Sequence, residues 1–360
     1  MIKTFEEVFE DKTKYGTKIK TEQYQKEGKN IIIDQGKEII SGYTDIQEGL
    51  FEDVPVIIFG DHTRIIKYVD RPFFLGADGV KILKSKFKDA NYKYLYYALR
   101  NIKIPNTGYN RHFKWLKEVE IEYPEIEIQT NIVKVLDKIV HIMNVKRKEI
   151  NNLNTLIKSR FTEMFGDPVS NSYDLPEATL SDLGEFGRGV SKHRPRNDIK
   201  LLGGKYPLIQ TGDIANAGLY ITSYSNTYSE LGLRQSKMWD KGTLCITIAA
   251  NIAKTAILEF DACFPDSVVG FIANERTNNI FIHYWFSFFQ AILELQAPES
   301  AQKNINLKIL SELKVIVPEK RKQDEFASFV KLIDKLKATI QKSIDEAQTL
   351  FDSLMQEYFG

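Results

Sequence analysis

The last stretch of the chain repeats its middle. Residues 124–166 recur as residues 318–360 at a constant offset of 194 positions and without a gap. The pairs that are identical at this offset include Pro124/Pro318, Glu125/Glu319, Gln129/Gln323, Ile139/Ile333, Lys148/Lys342, Ile150/Ile344, Phe165/Phe359 and Gly166/Gly360. A repeat of this size indicates that the fold contains two similar parts. The sequence therefore predicts a globule, a repeated segment, a second globule and a second repeated segment.

Each copy of the repeat carries a heptad pattern. The heptad positions of the second copy are Phe326, Val330, Ile333, Lys337, Ile340, Ile344, Ala347, Phe351, Leu354 and Tyr358, and those of the first are Ile132, Leu136, Ile139, Met143, Lys146, Ile150, Leu153, Ile157, Arg160 and Met164. A period of 3.5 residues is typical of a coiled-coil helix. A proline near the start and a glycine at the end bound each helix. Roughly 37 residues at about 1.5 Å each give a length of about 55 Å.

A single helix of this kind is marginal in water, so it needs a partner. We expect each copy to be the partner of the other. The first helix leads away from the first globule and the second leaves the second globule, so a helix pair must be antiparallel, with a pseudo-two-fold axis. Basic residues in the seam, Lys146, Arg160 and Lys337, either fix the register of the pair or extend their charged ends to water.

Further apolar residues widen the stripe beyond a strict heptad seam. They are Val135, Ile142 and Leu156 in the first copy and Phe329, Leu336 and Leu350 in the second. The wider stripe predicts an additional docking surface on the helices.

Composition indicates an ordered protein without an overall basic surface. The 360 residues are 43% hydrophobic and 12% aromatic, with a formal net charge of +1. This length allows two domains with cores of their own. No apolar run approaches 18 residues and the acidic N-terminal segment lacks a signal-peptide pattern, so we expect no membrane association. The two cysteines, Cys245 and Cys263, form no CxxC pattern, which favours a reduced, cytoplasmic protein.

Two local basic clusters stand out against this neutral average. Residues 188–205 contain Arg188, Lys192, Arg194, Arg196, Lys200 and Lys205, with Asp198 as the one acid. The second cluster consists of Lys81, Lys84, Lys86, Lys88 and Lys93. Each cluster is either a candidate nucleic-acid surface or a solvated face without a partner.

Both globules have the pattern of mixed, strand-rich structures of the α+β class. In the first, residues 30–33, 54–59 and 64–69 are predicted strands and residues 92–99 a short aromatic helix. In the second, residues 206–210, 243–248, 255–260 and 267–272 are predicted strands and residues 280–295 the corresponding helix. The order of elements is the same in both, so we expect two similar, barrel-like sheets, each with a helix at one edge.

The patterns of familiar catalytic sites are missing from the sequence. The histidines are His62, His112, His141, His193 and His283, and their spacing fits no metal site. No phosphate-binding GxxxxGK[ST] loop, S-adenosylmethionine-pocket motif, Asp-Pro-Pro-Tyr tetrapeptide, nuclease motif or GxSxG elbow occurs. We therefore expect neither catalytic residues, a metal nor a cofactor in this chain.

Polar and basic tracts between the strands offer recognition chemistry instead. Arginine and lysine pair with guanine, asparagine and glutamine pair with adenine, and all of them bind phosphates. The candidates in the second globule are Lys192, His193, Arg194, Arg196, Thr211, Asp213, Arg234, Gln235, Ser236, Lys237, Asn251, Gln302 and Lys303, and those in the first are His62, Thr63, Arg64, Asn106, Tyr109, Arg111 and His112. Alternatively each tract is an ordinary polar turn, with Asp61 and Asp213 capping turns and Asn110 and Asn304 capping helices. Similar tracts at matching positions of both halves favour recognition.

Three features together resemble the specificity subunits of type I restriction–modification systems, over essentially the whole chain. They are the repeated helix with its PE…Q opening and ExFG ending, the strings YPLIQTGDI (206–214), YSELGLRQSKMW (228–239) and FPDSVVGF (264–271), and the turn QKNINLKIL (302–310). In that family two target-recognition domains alternate with two long helical regions. The first globule has GDHTRI (60–65) where the second has TGD, as expected if the two domains read different half-sites.

The resemblance implies a non-catalytic subunit that binds double-stranded DNA. Recognition domains at 1–123 and 167–317 would each read one half of a split target, mainly in the major groove, and the spacer helices at 124–166 and 318–360 would set the distance between the halves. A helix of about 55 Å exceeds one DNA turn of about 34 Å. Two methyltransferase subunits would dock on the helices, and motor–nuclease subunits would join for cleavage. S-adenosylmethionine, ATP and Mg²⁺ are expected on those partners.

The sequence is also compatible with two other functions. One is a scaffold with two protein-binding globules on a coiled-coil rod and no DNA contact, which the near-zero net charge favours. The other is an enzyme with an unfamiliar site in the second globule, near His193 or Cys245. Loss of DNA affinity with salt would distinguish a DNA reader from a scaffold, and turnover by the isolated chain would indicate the enzyme.

Overall fold

The computed structural model describes residues 1–76, 78–108, 110–249, 252–296, 305 and 307–360. These residues form two compact units. Unit 1 comprises Met1–Arg147 and Lys342–Gly360, and unit 2 comprises Lys148–Gln341. Unit 1 is thus assembled from the two ends of the chain, and unit 2 from its middle.

Unit 1 consists of short strands with helices around them. Its strands are β1 (Ile2–Thr4), β2 (Phe9–Asp11), β3 (Asn30–Ile33), β4 (Gly42–Thr44), β5 (Val56–Gly60), β6 (Ile66–Val69), β7 (Phe73–Leu75), β8 (Val80–Ser85) and β9 (Glu120–Glu122). Its helices are α1 (Phe5–Val8), α2 (Tyr92–Asn101), α3 (Phe113–Leu116), the N-terminal half of α4 (Ile126–Phe165) and the C-terminal half of α9 (Lys320–Phe359).

Three sheets make up the strand part of unit 1. An antiparallel sheet has the order β2-β8-β5-β6, and a smaller sheet has the order β4-β3-β7 with β3 and β7 parallel. β1 pairs antiparallel with β9, so that Ile2 lies opposite Glu122 just before α4 begins. β5 is buried along its whole length, because its β-branched and aromatic residues fill a central strand with packing on both faces.

Unit 2 has more elements than unit 1. Its strands are β10 (Glu177–Thr179), β11 (Gly184–Arg188), β12 (Leu202–Leu208), β13 (Tyr220–Ile221), β14 (Asn226–Tyr228), β15 (Met238–Trp239), β16 (Leu244–Thr247), β17 (Thr255–Leu258), β18 (Ala262–Cys263), β19 (Val268–Ala273) and β20 (Lys314–Ile316). Its helices are α5 (Thr211–Asn216), α6 (Glu230–Arg234), α7 (Asn279–Gln296), α8 (Leu307–Ser311) and the N-terminal half of α9 (Lys320–Phe359), together with the C-terminal half of α4.

The two units share one topology, which confirms the predicted internal repeat in the globules as well as in the helices. The orders β2-β8-β5-β6 and β4-β3-β7 of unit 1 correspond to β11-β19-β16-β17 and β14-β12-β18 of unit 2. In both units the middle one of the three shared strands, β3 or β12, pairs antiparallel with one neighbour and parallel with the other. The closing pair β1–β9 corresponds to β10–β20, which is also antiparallel and also lies just before a long helix. β13 and β15 are additional edge strands of unit 2.

The repeated glutamine of the PE…Q motif braces the start of each long helix. Gln129 donates from Nε2 to the carbonyl oxygen of Pro124 at 2.8 Å, and Gln323 donates in the same way to Pro318 at 2.8 Å. Both glutamines are buried. Each side chain therefore satisfies a carbonyl at the point where the chain enters its helix, which explains why the two residues recur at the same position of the repeat.

The halves of α4 and α9 pack on each other within both units. In unit 1, Leu136, Ile139 and Met143 of α4 share a core with Phe351 and Met355 of α9. In unit 2, Ile157 and Phe161 of α4 share a core with Phe326, Val330 and Ile333 of α9. The N-terminal half of each helix thus meets the C-terminal half of the other, so the helices are antiparallel, as predicted.

The heptad seam differs from the prediction at the C-terminal end of each helix. The most deeply buried residues there are Phe161 and Phe165, and Phe351 and Met355, with steps of four. Of these, the repeat of 4 and 3 predicts Phe351. The other predicted apolar residues, Met164, Leu354 and Tyr358, are only partly buried against the same cores. A step of four follows the natural period of a straight helix. It allows the phenylalanine of each ExFG ending to reach a unit: Phe165 packs on Phe281 at 5.2 Å between ring centroids, and Phe359 on Tyr94 at 5.3 Å.

Two of the three seam cations have a nearby acid on the same helix. Lys337 lies 3.7 Å from Asp334, and Arg160 lies 2.9 Å from Glu163. Within the described part of the chain, no helix is long and apolar enough to cross a membrane.

Candidate nucleic-acid interface

In unit 2 two of the predicted tracts lie side by side. The loop that follows β11 is tied to the segment after α6 through Gln235, whose backbone oxygen accepts from Lys192 N at 3.4 Å and whose Oε1 accepts from His193 N at 3.0 Å. Ser236 Oγ donates to the carbonyl oxygen of Val190 at 2.8 Å. The tract 192–196 and the tract 234–237 therefore form one surface, which we call the unit 2 basic loop surface. Gln235 and Ser236 support this surface from within, since their bonds point to backbone atoms.

Two arginines of this surface converge on one acid. Arg194 Nη2 lies 3.3 Å from Asp266 Oδ2, and Arg196 donates from Nη2 to Asp266 Oδ1. Asp266 comes from the connection between β18 and β19, 70 residues further along the chain than Arg196. The sequence analysis missed Asp266, because no local pattern connects residues so far apart.

Other acids reduce the positive charge of this tract further. Asp198 Oδ2 lies 3.1 Å from His193 Nε2, and hydrogen bonds from Lys200 N and from His193 hold the pKa of that carboxyl below its usual value. Lys205 lies 3.6 Å from Glu230. The tract 188–205 is therefore less basic in the fold than in the sequence, where Asp198 stands alone.

Lys237 and Arg234 complete the surface. Lys237 Nζ lies 3.7 Å from the ring centroid of Trp239, a cation–π contact, and the Trp239 ring stacks on Phe264 at 5.1 Å. A Cβ atom on Gly270 would come within 2.7 Å of Trp239, so this position requires glycine. Arg234 is exposed at the C-terminal end of α6.

The remaining predicted residues of unit 2 lie elsewhere. Thr211 begins α5, and Asp213 accepts from Gln210 N at 2.8 Å in a capping arrangement, which matches the alternative of a turn cap. Among the described residues no hydrogen bond joins Thr211 or Asp213 to the basic loop surface. Asn251, Gln302 and Lys303 lie outside the described residues, as does Tyr109 of unit 1.

In unit 1 the predicted tract at 61–64 is held by Gln35. Gln35 Oε1 accepts from His62 N at 3.2 Å, and its backbone oxygen accepts from Thr63 Oγ1 at 2.7 Å. His62 Nδ1 lies 3.2 Å from the carbonyl oxygen of Asn110, and Arg64 Nη1 donates to the carbonyl oxygen of Ile104 at 3.2 Å. The tract 61–64 and the described residues of the tract 106–112 thus form one surface, the unit 1 loop surface. Asn106 and Arg111 are exposed on it.

His112 does not belong to the accessible part of the unit 1 loop surface. Its side chain is fully buried, and its Nδ1 lies 3.0 Å from the carbonyl oxygen of Asp61. Asp61 is also buried, and its Oδ1 accepts from Phe113 N at 2.7 Å. The prediction of His112 as a DNA contact is therefore corrected: burial excludes it from a flat duplex surface, and it supports the loop instead.

The second basic cluster consists largely of paired lysines. Lys81 donates to Asp11 at 3.1 Å, Lys84 to Asp53 at 2.5 Å and Lys93 to Asp137 at 2.5 Å. Lys86 donates to the carbonyl oxygen of Glu6. These contacts connect strands and helices of unit 1. They favour a structural role for this cluster over a role as a nucleic-acid surface.

The two residues singled out for the enzyme interpretation have different surroundings. Cys245 is fully buried, and burial raises the pKa of its thiol far above the usual value, so the reactive thiolate is disfavoured. His193 Nε2 lies 3.1 Å from Asp198 Oδ2 on an exposed loop. Within the described ranges, no group of three or more His, Cys, Asp or Glu side chains is arranged to hold a metal ion.

Comparison with known proteins gives one consistent result. The family model "Type I restriction modification DNA specificity domain" matches residues 1–155 and 174–348. The chain is 24% identical over 363 residues to the type I restriction enzyme EcoR124I/EcoR124II specificity subunit of Escherichia coli, covering 94% of this chain and 86% of that protein. It is 23% identical over 298 residues to a putative type I restriction enzyme MjaX specificity subunit of Methanocaldococcus jannaschii, covering 76% and 68%.

Solved structures show the same fold. The S subunit of a type I restriction–modification system from M. genitalium has a TM-score of 0.62 at 18% identity, covering 100% of this chain and 96% of that one. A chain from a study of complex assembly and conformational transition of the type I R-M system has a TM-score of 0.58 at 14% identity, covering 100% and 97%. With the family model matched in both halves, the scaffold and enzyme interpretations are not favoured. The chain belongs to the type I restriction–modification DNA specificity family, and it is the non-catalytic specificity subunit of such a system.

Proposed function

We propose that each unit of this specificity subunit reads one half of a bipartite DNA target. The observation that carries the proposal is the duplicated topology: one scaffold of three sheets occurs twice, with different polar loops on each copy. Two copies with different loops suit two different half-sites. We assign the recognition domains to residues 1–123 and 167–317 and the spacer helices to residues 124–166 and 318–360.

In this proposal the loop surfaces of the two units contact the duplex. On unit 2 the side chains offered to DNA are Lys192, Arg196, Arg234 and Lys237, and on unit 1 they are His62, Thr63, Asn106 and Arg111. All of these side chains are exposed except that of His62, which is half-buried, and their hydrogen-bonding capacity supports the assignment. Arg194, Gln235, Ser236, Arg64 and His112 support the loops by their bonds to backbone atoms.

The long helices act as the spacer and as the docking site for two methyltransferase subunits. A 40-residue helix is about 60 Å long, more than one DNA turn of about 34 Å. Apolar residues of the widened stripe are exposed, notably Ile142, Leu156, Leu336 and Leu350, and exposed apolar patches indicate protein interfaces. The methyltransferases carry S-adenosylmethionine, motor–nuclease subunits carry ATP and Mg²⁺, and the complex acts on DNA in the cytoplasm.

Methylation mapping tests the proposal. The chain is expressed with its methyltransferase subunit in a host without DNA methylation, and methylated adenines are located by single-molecule sequencing. The expected result is one split motif with a fixed spacer. Replacing residues 167–317 with those of a relative should change one half of the motif and leave the other half unchanged. Absence of methylation by a purified, assembled complex, or a change in both halves, would contradict the proposal.

A further inference from the structure

We propose that Asp266 orients Arg196 as a reader of guanine in the half-site that unit 2 contacts. This inference rests on the proposed function, because it assigns a base to the unit 2 basic loop surface. Its basis is the difference between the two arginines that share Asp266.

Arg194 makes more bonds within the protein than Arg196, although its side chain is the more exposed of the two, at 54% against 45%. Its Nη1 donates to the carbonyl oxygens of Ser191 at 2.5 Å and of His193 at 2.9 Å, and its Nη2 lies 3.3 Å from Asp266. Both terminal nitrogens of this guanidinium are therefore engaged. Arg194 closes the loop at 191–194 and fastens it to Asp266.

Arg196 is anchored at one nitrogen only. Its Nη2 donates to Asp266 Oδ1, and no second partner occurs for its guanidinium among the residues that the structure describes. A guanidinium carries five N–H groups in a rigid, planar arrangement, so most of the donors of Arg196 remain available. Its side chain is 45% exposed. Arg196 is thus held at a fixed orientation and still presents donors outward.

The support of Asp266 is rigid. Phe264 is fully buried two residues before it, and Val268 N donates back to the carbonyl oxygen of Pro265 at 3.0 Å. The loop of the arginines is joined to this turn by Gly189, whose N donates to the carbonyl oxygen of Val268 at 2.9 Å. A Cβ atom on Gly189 would lie 2.3 Å from the carbonyl oxygen of Phe264, so the two backbones approach as closely as glycine permits. A carboxylate held in this way limits the orientations that the Arg196 guanidinium can adopt.

The carboxylate also decides what Arg196 binds. Asp266 offsets one of the two guanidinium charges of Arg194 and Arg196, so Arg196 attracts a phosphate less strongly than an arginine without a carboxylate partner would. The N7 and O6 atoms of guanine are uncharged acceptors that match two parallel N–H donors of one arginine. The geometry therefore favours a base contact over a backbone contact, in contrast to Lys192 and Arg234.

Duplexes with a modified base test this inference on the assembled complex of the full chain and its methyltransferase subunits. Once the motif is known, each guanine of the unit 2 half-site is replaced in turn by 7-deazaguanine, which lacks the N7 acceptor. At one position we expect the wild-type complex to lose roughly 5- to 150-fold in affinity. The Arg196→Ala complex should bind the normal duplex weakly and show no additional loss with 7-deazaguanine at that position. Asp266→Asn should bind the normal site more weakly than wild type and discriminate less at that position only.

Two controls keep the result interpretable. The half-site of unit 1 should stay unchanged in every variant, which shows that the complex is assembled. Arg276→Gln, a change of an exposed arginine outside the loop surface of unit 2, should leave the motif and the affinity unchanged. Equal loss with 7-deazaguanine in wild type and Arg196→Ala, or equal weakening of all sequences by Arg196→Ala, would overturn the inference and leave the proposed function standing. A wild-type complex without sequence preference would overturn the proposed function itself, and the inference with it.

Discussion

The glutamine that recurs at the start of each long helix allows a prediction in which one copy of the repeat is the reference for the other. Gln129 and Gln323 occupy the same repeat position, yet their surroundings differ. Gln129 donates one hydrogen bond, to Pro124. Gln323 makes three: it donates to Pro318 at 2.8 Å and to Arg276 at 3.0 Å, and it accepts from Thr277 Oγ1 at 2.8 Å.

The number of bonds sets the size of the effect. At about 1 kcal/mol of net stabilisation per hydrogen bond, Gln323→Ala should cost about 3 kcal/mol and Gln129→Ala about 1 kcal/mol. The difference of about 2 kcal/mol corresponds to roughly a 30-fold change in a local opening equilibrium. Amide hydrogen exchange measures this equilibrium where it occurs, in the first turns of α9 for Gln323→Ala and of α4 for Gln129→Ala.

A matched control separates the brace from the loss of a glutamine as such. Gln356→Ala changes an exposed glutamine of α9 and should not destabilise the helix, because alanine has the higher helix propensity. The comparison is the increase in amide exchange, relative to the wild type, at the start of the helix that carries the substitution. An equal increase in the two variants, or a larger one in Gln129→Ala, would refute the reasoning that the number of hydrogen bonds sets the stability of each helix start.

Three further predictions concern DNA binding and pH. Inserting four residues after Asn151 should lengthen the spacer of the methylated motif and leave both half-sites unchanged; altered half-sites with the old spacer would reject the spacer role. Lys192→Ala and Arg234→Ala should each weaken binding to all sequences and reduce the slope of log affinity against log salt by about 0.9, and an unchanged slope would remove them from the phosphate contacts. Burial lowers the pKa of His283 from 6.5 to about 4, so below pH 6.5 the unfolded chain binds a proton that the folded chain does not. The free energy of unfolding should therefore fall by about 2 kcal/mol from pH 7.5 to pH 5. In urea unfolding, this fall should be smaller in His283→Gln than in the wild type, and it should be unchanged in His193→Gln.

The sequence predicts the larger elements well, because they are repetitive or strongly apolar. The heptad pattern gives both long helices, and the apolar segment 30–33 matches β3. Prediction from the sequence fails where a contact between distant residues determines the local structure. β1 and β9 are three residues each and become strands by pairing with each other across more than 100 positions, which leaves no local periodicity to detect.

The candidate site shows the same division. Residue type and position between strands suffice to select the tracts 192–196 and 234–237, which the structure brings together. The partners of individual side chains could not be predicted. Asp266 joins the arginines from a distant turn, and His112 points into the unit because Asp61 offers it an acceptor. Burial and pairing of single residues depend on the completed fold.

The discontinuity of unit 1 has a consequence for the order of events during synthesis. Domains fold as they leave the ribosome, at about 5–20 residues per second. Unit 2 is complete once Gln341 has emerged, whereas unit 1, although it is translated first, lacks Lys342–Gly360 until the end. Until then Leu136, Ile139 and Met143 lack the cover of Phe351 and Met355. The unit that begins the chain is therefore the last to be finished, and a nascent chain that stalls near its end would expose this apolar face to chaperones and proteases.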